Sequence, residues 1–289
     1  MSIIPSQVDN FIPEYWSALL LTSLRKNAVV SSTLATNRDY EGDVRQGSKC
    51  HINTLTDPTV APYSGGPITT TRLATTDAEL LISEADYFSF AVKDVEKVQA
   101  AGDLAATATA TAGRKMLEAA DRYVGSVMIA NAGRKDVAIS IASGVNQGDA
   151  LYEGVVDEVV QTLDNNDIPE DKRFIIVTPR LKAMLLKSSK FTDASQYGST
   201  EPIQNGEIGR FAGLRVMVTT NIPQTAPGTP DVDLIAGHPI ATTMANQIQE
   251  VETIRDPEDF ASIIRGLHAY GAKVIRPSAL VTAKVTVAA

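Results

Sequence analysis

A chain of 289 residues with 44% hydrophobic and 21% charged residues has a globular composition and can bury a substantial core. Its net charge of −8 excludes a protein whose main task is coating nucleic acid, because that task needs clustered Lys and Arg. Cys50 is the only cysteine, which excludes an intrachain disulfide and a thiolate metal cluster within the chain. The longest apolar run, 18–21, is too short for a membrane span, and residues 1–13 lack signal-peptide features, so we expect synthesis in the cytosol.

The N-terminal segment predicts one short helix. Residues 13–27 place Trp16, Leu19, Leu20 and Leu24 on one side of an amphipathic helix. Such a helix needs a surface to lie on, because a terminal segment is poorly ordered unless something ties it down. This surface could belong to the body of the same chain or to a second copy of the chain.

A long hairpin follows. Residues 49–55 and 68–75 predict two strands, joined by a loop at 56–67 that is rich in Pro and Gly. Few apolar residues are available to anchor these strands, and an isolated two-stranded hairpin is marginally stable in water. We therefore expect the hairpin to be either mobile or supported by a neighbour.

A long helix is the dominant prediction. Residues 103–133 contain no proline and lie between Asp103, a suitable N-cap, and Gly133, a suitable terminator. Apolar residues recur at helical spacing: Leu104, Ala108, Ala112, Met116, Ala120, Val124, Val127 and Met128. A helix of this span is about 44 Å long and would act as a strut. The Ala-Thr alternation at 106–112 also suits a strand, but Ala is the best helix former and the flanks continue the helical period.

The surroundings of this helix are also predicted. Residues 92–101 predict a shorter helix that Gly102 interrupts. Glu118 lies four residues before Arg122, which is the favourable spacing for an ion pair on a helix surface. The residues expected to face solvent or a neighbouring subunit are Thr107, Thr109, Thr111, Arg114 and Lys115.

The rest of the chain predicts an α/β layer followed by further strands. The expected strands are 137–141, 174–177, 214–218, 232–236, 248–254, 263–275 and 279–287. The expected helices are 149–163, 181–186 and 238–247, and a polar loop is expected at 190–206. Thr178 and Pro179 form an N-cap and first-turn pair. In the last strand, a buried face of Val281, Ala283, Val285 and Val287 is expected opposite Thr282, Lys284 and Thr286.

No pattern in the chain predicts catalysis. None of the histidines, His51, His238 and His268, lies in a recognisable catalytic motif, so a structural role is expected for each. The carboxylates at 250–259 alternate along a strand and precede an Asp-Pro step, which favours a solvated edge or a salt bridge between subunits. The sequence therefore predicts no catalytic residue, no cofactor and no metal.

Several short segments carry a family resemblance. They are NFIPEYW at 10–16, NGEIGRFAG at 205–213, NIP at 221–223 and YGAKVIRP at 270–277. In their combination and order, the chain resembles the major capsid proteins of tailed bacteriophages with the HK97-like fold. The resemblance spans nearly the whole chain and is strongest to phages of actinobacteria and other Gram-positive hosts.

The resemblance implies an α+β chain with four parts. These are an N-terminal arm at 1–45, an extended E-loop at 46–90, a peripheral domain at 91–133 and 248–289 with the spine helix at 103–133, and an α/β axial domain at 134–247. It also implies a non-enzymatic protein that assembles into pentamers and hexamers, forming an icosahedral shell around double-stranded DNA. The loop at 56–67 has no Lys, so a noncovalent shell is expected rather than one crosslinked through that loop.

The implied partners are further copies of the chain, a separate scaffolding protein, a portal protein and DNA bound without sequence specificity. A decoration protein is left open, no membrane is involved, and a virion capsid assembled in the host cytoplasm is the expected location. Candidate contacts between subunits are Tyr15, Trp16, Pro62, Tyr63, Arg72, Glu252 and Asp256. Two alternatives remain: an encapsulin-like compartment of the same fold, and a soluble α/β enzyme that uses the carboxylates at 250–259.

Overall fold

The computed structural model describes residues 29–41, 49–55, 60, 62, 65, 72, 75–93, 104–142, 145–188, 210–223 and 232–287. The predicted helix at 13–27 and the predicted loop at 190–206 lie outside these residues. The strands are β1 (Lys49–Leu55), β2 (Thr75–Leu81), β3 (Glu84–Lys93), β4 (Arg134–Ile141), β5 (Phe174–Val177), β6 (Arg210–Phe211), β7 (Leu214–Val218), β8 (Leu234–Gly237), β9 (Thr242–Arg255), β10 (Ala261–Val274) and β11 (Leu280–Val287). The α-helices are α1 (Leu104–Asn131), α2 (Gln147–Val155), α3 (Gln161–Asn165) and α4 (Pro179–Leu185).

Helix α1 is the predicted strut. It runs unbroken for 28 residues, which confirms the helical interpretation of the Ala-Thr segment. Met116, Ala120, Val124 and Met128 are all buried along one stripe, as their spacing predicts. Of the helices that the structure describes, none is both long enough and apolar enough to cross a membrane.

Two predictions about the surface of α1 are wrong. Thr109 is fully buried, because it lies about two helical turns before Met116 and so continues the apolar stripe. Glu118 pairs with Lys115, whose Nζ lies 2.8 Å from the Glu118 Oε2, rather than with Arg122.

The predicted α/β layer is confirmed as a six-stranded mixed sheet in the order β4-β11-β8-β5-β7-β6. Ile175 and Val177 face a core built with α2, α3 and α4, whereas Phe174 and Ile176 face a core built with α1. Because both faces of the sheet are covered, β5 reads as an uninterrupted apolar run. A π-helical turn, Val156–Val160, joins α2 to α3, so the predicted helix at 149–163 is present with that irregularity.

The last strand joins this sheet. β11 lies between β4, to which it runs parallel, and β8, to which it runs antiparallel. This strand, which the resemblance assigns to the peripheral domain, pairs with two strands from the range 134–247. Thr282, expected on an exposed face, is buried, and its Oγ1 accepts a hydrogen bond from the Asp136 amide at 3.2 Å.

A second sheet is antiparallel and three-stranded, in the order β3-β10-β9. Its inner face places Val92, Val251 and Ile264 against Met116 and Leu117 of α1. The long helix thus lies beneath this sheet at one end and contributes to the core beside the six-stranded sheet further along.

Two predicted helices are wrong in this region. Val92 and Lys93 end β3 and do not begin a helix, while 94–101 lies outside the described residues. At 238–247 the helix is limited to a 3₁₀ turn, Pro239–Ala241, after which β9 starts. Residues 242–246 form a strand because they pair with β10. The adjacent β-branched residues Thr242 and Thr243 also favour a strand over a helix.

The hairpin of β1 and β2 is anchored within its own subunit, contrary to prediction. The strand paired with β1 is β2 at Thr75–Leu81, downstream of the predicted 68–75. Cys50, Ile52 and Leu80 are buried in a cluster with Ala245 of β9. These residues suffice because Cys50, Ile52 and Leu80 share one face of the hairpin, whereas Leu81 on the other face is 43% exposed.

Gly271 of β10 permits this anchoring. A Cβ added at Gly271 would collide with the carbonyl oxygen of Leu81 in β2. We expect Gly271→Ala to lower the free energy of unfolding by about 1–3 kcal/mol, because the hairpin backbone must shift away from β10. Urea unfolding of unassembled subunits, with hydrogen exchange at 49–55, measures both effects. A variant of unchanged stability and unchanged protection in β1 would contradict the expectation.

Candidate assembly surfaces

The outward side of the three-stranded sheet is a candidate assembly surface. Side chains alternate along β3, so that Phe88, Phe90 and Val92 point inward while Tyr87 and Ser89 point outward. We use the term outer sheet face for Tyr87, Ser89, Glu250, Glu252, Arg265 and Leu267. A groove of about 450 Å³ lies on this face, and the Tyr87 side chain beside it is 78% exposed.

The charged part of the outer sheet face is one ion pair. Glu252 Oε2 accepts hydrogen bonds from Arg265 Nε at 2.9 Å and from Arg265 Nη2 at 2.6 Å. Both side chains remain about half exposed, so the pair adds little to the stability of the subunit itself. Glu252 is therefore exposed at the surface of the subunit, and its role as a contact between subunits stays a prediction.

Asp256 has a local structural role. Its amide donates to the Ala261 carbonyl at 3.0 Å, and its Oδ1 accepts from the Glu258 amide at 3.0 Å, which closes the turn between β9 and β10. In the same turn, the Phe260 side chain is 78% exposed. The pKa of Asp259 is lowered chiefly by a hydrogen bond from Lys93 and to a smaller extent by one from the Phe260 amide.

Of the other five predicted contact residues, two lie in the described part of the chain. Pro62 and Arg72 are exposed in the connection between β1 and β2. Tyr15, Trp16 and Tyr63 lie outside the described residues. Among the predicted contact residues in the described part of the chain, only Glu252 and Asp256 lie close together, because both belong to the β-hairpin of β9 and β10. All seven remain predictions as subunit contacts.

A buried carboxylate that the sequence analysis missed ties the N-terminal segment to α1. Asp121 is fully buried, and its Oδ1 accepts from the Ser31 amide at 3.0 Å and from the Ser31 Oγ at 2.5 Å. Its Oδ2 accepts from the Val29 amide at 3.2 Å and from the Asn221 Nδ2 at 3.3 Å. Val30 is fully buried beside it. Residues 29–31 are therefore fixed to the side of α1 by hydrogen bonds to one carboxylate.

Two of the three histidines, His268 and His238, have structural roles in the subunit. His268 is buried, burial lowers its pKa to about 4, and its ring stacks on Tyr270 with centroids 4.7 Å apart. The Tyr270 hydroxyl donates to Asp86 Oδ2 at 2.7 Å, and burial raises the pKa of Tyr270. His238 Nδ1 accepts from the Ile240 amide at 3.2 Å and caps the 3₁₀ turn, and burial lowers the pKa of His238.

The fold thus consists of a long helix that packs against two sheets, with a hairpin anchored beside them and exposed side chains on the three-stranded sheet. The family model for phage capsid protein matches residues 87–283, and the chain belongs to that family. No curated protein sequence matches the chain.

Solved structures agree with the family. The chain is similar to a structure from Mycobacterium phage Che8, with 28% identity, a TM-score of 0.72, and coverage of 89% of this chain and 91% of the other. The capsid structure of cyanophage P-SCSP1u shares the fold at 16% identity and a TM-score of 0.71, covering 91% and 90% of the two chains. A virus-like particle from Pyrococcus furiosus shares it at 17% identity and a TM-score of 0.59, covering 95% and 100%.

These similarities confirm the HK97-like fold and the resemblance to phage capsid proteins. The chain is a major capsid protein of a bacteriophage virion, has a structural role rather than an enzymatic one, and self-assembles into a multimeric shell. The enzyme hypothesis for the carboxylates at 250–259 is therefore wrong. In the structure, Glu252 is ion-paired, Asp256 closes a turn and Asp259 pairs with Lys93.

Proposed function

We propose that the chain forms pentamers and hexamers that close an icosahedral head shell around phage double-stranded DNA. The observation that carries this proposal is the outer sheet face, where Tyr87 and Leu267 are exposed on a sheet held rigid by α1. Burial of apolar area contributes about 25 cal/mol per Å². Many such contacts, each modest, can close a shell while single contacts remain reversible during assembly.

We assign a separate role in assembly to each part of the chain. The arm at 1–45 and the E-loop at 46–90 overlap neighbouring subunits. The peripheral domain carries the spine helix and four residues of the outer sheet face, and the end of the E-loop range contributes Tyr87 and Ser89 to that face. The axial domain meets other copies around each capsomer axis. The pairing of β11 supports assigning Leu280–Val287 to the axial side of this division.

We propose further partners on the basis of the family. They are a separate scaffolding protein and a portal protein, with assembly in the host cytoplasm. A decoration protein, if one binds, would attach outside the shell. DNA is enclosed without sequence-specific binding, in keeping with a chain of net charge −8.

The contact role of the outer sheet face can be tested with Tyr87→Asp. Because Tyr87 is exposed in the subunit, we expect the unfolding free energy to change by less than about 0.5 kcal/mol. Shell formation should be lost, since a carboxylate would be buried at the contact. Sedimentation of assembled material is the measurement, and Tyr87→Phe, which keeps the ring, is the matched control. Normal shells from Tyr87→Asp would remove this face from the proposed contacts.

An encapsulin-like compartment is the second candidate function. It is supported by the similarity to the virus-like particle from Pyrococcus furiosus, which extends over 100% of that particle's chain. The contents of purified particles distinguish the two. Nuclease-protected double-stranded DNA in particles from phage-producing cells supports the head-shell proposal. Particles that contain a specific cargo protein and no DNA would support the compartment instead.

A further inference from the structure

The outward face of the β1–β2 hairpin carries a polar cluster that the assembly role leaves unexplained. Cys50, Ile52 and Leu80 occupy the inward face, so the alternate positions point away from the subunit. His51 lies directly opposite Glu79 in the register of the two strands, and Asp77 is the next outward position on β2. This cluster was not predictable from the sequence, because Asp77 and Glu79 lie far from His51 along the chain.

The side chains of these residues converge. His51 Nδ1 lies 2.7 Å from Asp77 Oδ2, and His51 Nε2 lies 4.0 Å from Glu79 Oε1. One potential ligand atom from each residue lies within 4.8 Å of the other two. All three side chains are about half exposed, so an ion could reach them from solvent.

We propose that His51, Asp77 and Glu79 form a binding site for a borderline divalent cation of the Zn²⁺ class. One imidazole nitrogen and two carboxylate oxygens are ligands that Zn²⁺ accepts, and a surface water completes a four-coordinate site. Ligands about 2.1 Å from a tetrahedral ion lie about 3.4 Å apart, so small rotations of exposed side chains close the present gaps. The backbone beneath them is already fixed by cross-strand pairing and by the buried inward face.

Two ion pairs compete with the cation. The His51–Asp77 contact must open on one side, and Lys49 Nζ lies 3.5 Å from Glu79 Oε2. Exposed pairs of this kind are weak, so displacing them costs little. The competition still gives the proposal a distinctive consequence, because removing Lys49 should strengthen cation binding.

Zn²⁺ titration of the full chain by calorimetry, after treatment with chelator, tests the proposal. We expect saturable binding of one ion per chain, and a visible spectrum of four-coordinate Co²⁺ when Co²⁺ is used instead. His51→Gln and Glu79→Gln should each weaken binding by about tenfold or more. Glu118→Gln, which removes a partly buried, ion-paired carboxylate on α1, is the matched control and should bind as the natural chain does.

Lys49→Met provides a variant whose expected effect cannot come from loss of folding. It should bind Zn²⁺ more tightly than the natural chain, because Glu79 is released. The proposal is overturned if Zn²⁺ uptake is not saturable, if His51→Gln and Glu79→Gln leave it unchanged, or if Lys49→Met fails to strengthen it. The titration is performed on unassembled subunits, so its outcome is distinguishable from the outcome of the shell-formation test.

Discussion

Replacing Asp121 by Ala is expected to lower the free energy of unfolding of the unassembled subunit by about 3–5 kcal/mol. The substitution removes the acceptor for the Ser31 amide and hydroxyl, the Val29 amide and the Asn221 side chain. A buried donor left without a partner costs about 1–3 kcal/mol, and hydrogen bonds to a charged group are stronger than average. Asp121→Asn should cost less, because one carbonyl oxygen remains to accept from Ser31.

Urea unfolding measures the global effect, and hydrogen exchange at 29–36 measures release of the N-terminal segment. Asp157→Ala, which removes an exposed carboxylate, is the matched control and should change stability by no more than about 0.5 kcal/mol. In a double-mutant cycle with Ser31→Ala, the two effects should be strongly non-additive, since the residues share hydrogen bonds. Additive effects with unchanged exchange at 29–36 would mean that Asp121 does not hold this segment.

The second large effect is a loss of stability on acidification through His268. Burial lowers its pKa from 6.5 to about 4, with Asp86 opposing the shift and Arg38 adding to it. Between these values the unfolded chain binds more protons than the folded one, so stability falls as the pH drops from about 6.5 to about 4. The expected loss from this group is about 3 kcal/mol, with no further loss below that window.

The surroundings of His268 explain why protonation is unfavourable. Its ring stacks on Tyr270, and its Nε2 lies 3.2 Å from Asn246 Oδ1. Its Nδ1 is buried and, among the residues described, has no hydrogen-bond partner. The Asp86 carboxylate, which accepts from Tyr270, offsets only part of the cost of burying the new charge.

Unfolding of the natural chain and of His268→Gln at about pH 7 and about pH 5 measures this contribution. Other groups titrate equally in both chains, so the difference between their pH dependences isolates His268. The natural chain should lose more stability than His268→Gln over this interval. Equal losses in the two chains would show that His268 is not held neutral by the fold.

The elements with strong local signals were predictable from the sequence. Helix α1 has a long apolar period without proline, and β5 has an uninterrupted apolar run ahead of the Thr178 cap, whose Oγ1 accepts from the Leu181 amide. Their bounds agree with the structure within a few residues. In both cases the information lies within one continuous segment.

Features that depend on distant partners were not predictable. The start of β9 was read as helix because its pairing with β10 is invisible locally, and the hairpin was read as unanchored because its contact with Ala245 lies far along the chain. Asp121 bonds to residues about ninety positions away, although a carboxylate within the apolar stripe of α1 was a usable signal. The outer sheet face requires the registers of all three strands, which no local pattern provides.

Negative-stain electron microscopy of the chain expressed alone, combined with sedimentation of the same sample, tests the central claim most directly. We expect closed shells, tubes or rings of five or six subunits, and we expect Tyr87→Asp to give subunits that sediment slowly under the same conditions. A compact monomer that stays monomeric even when mixed with a candidate scaffolding protein would contradict the assembly role.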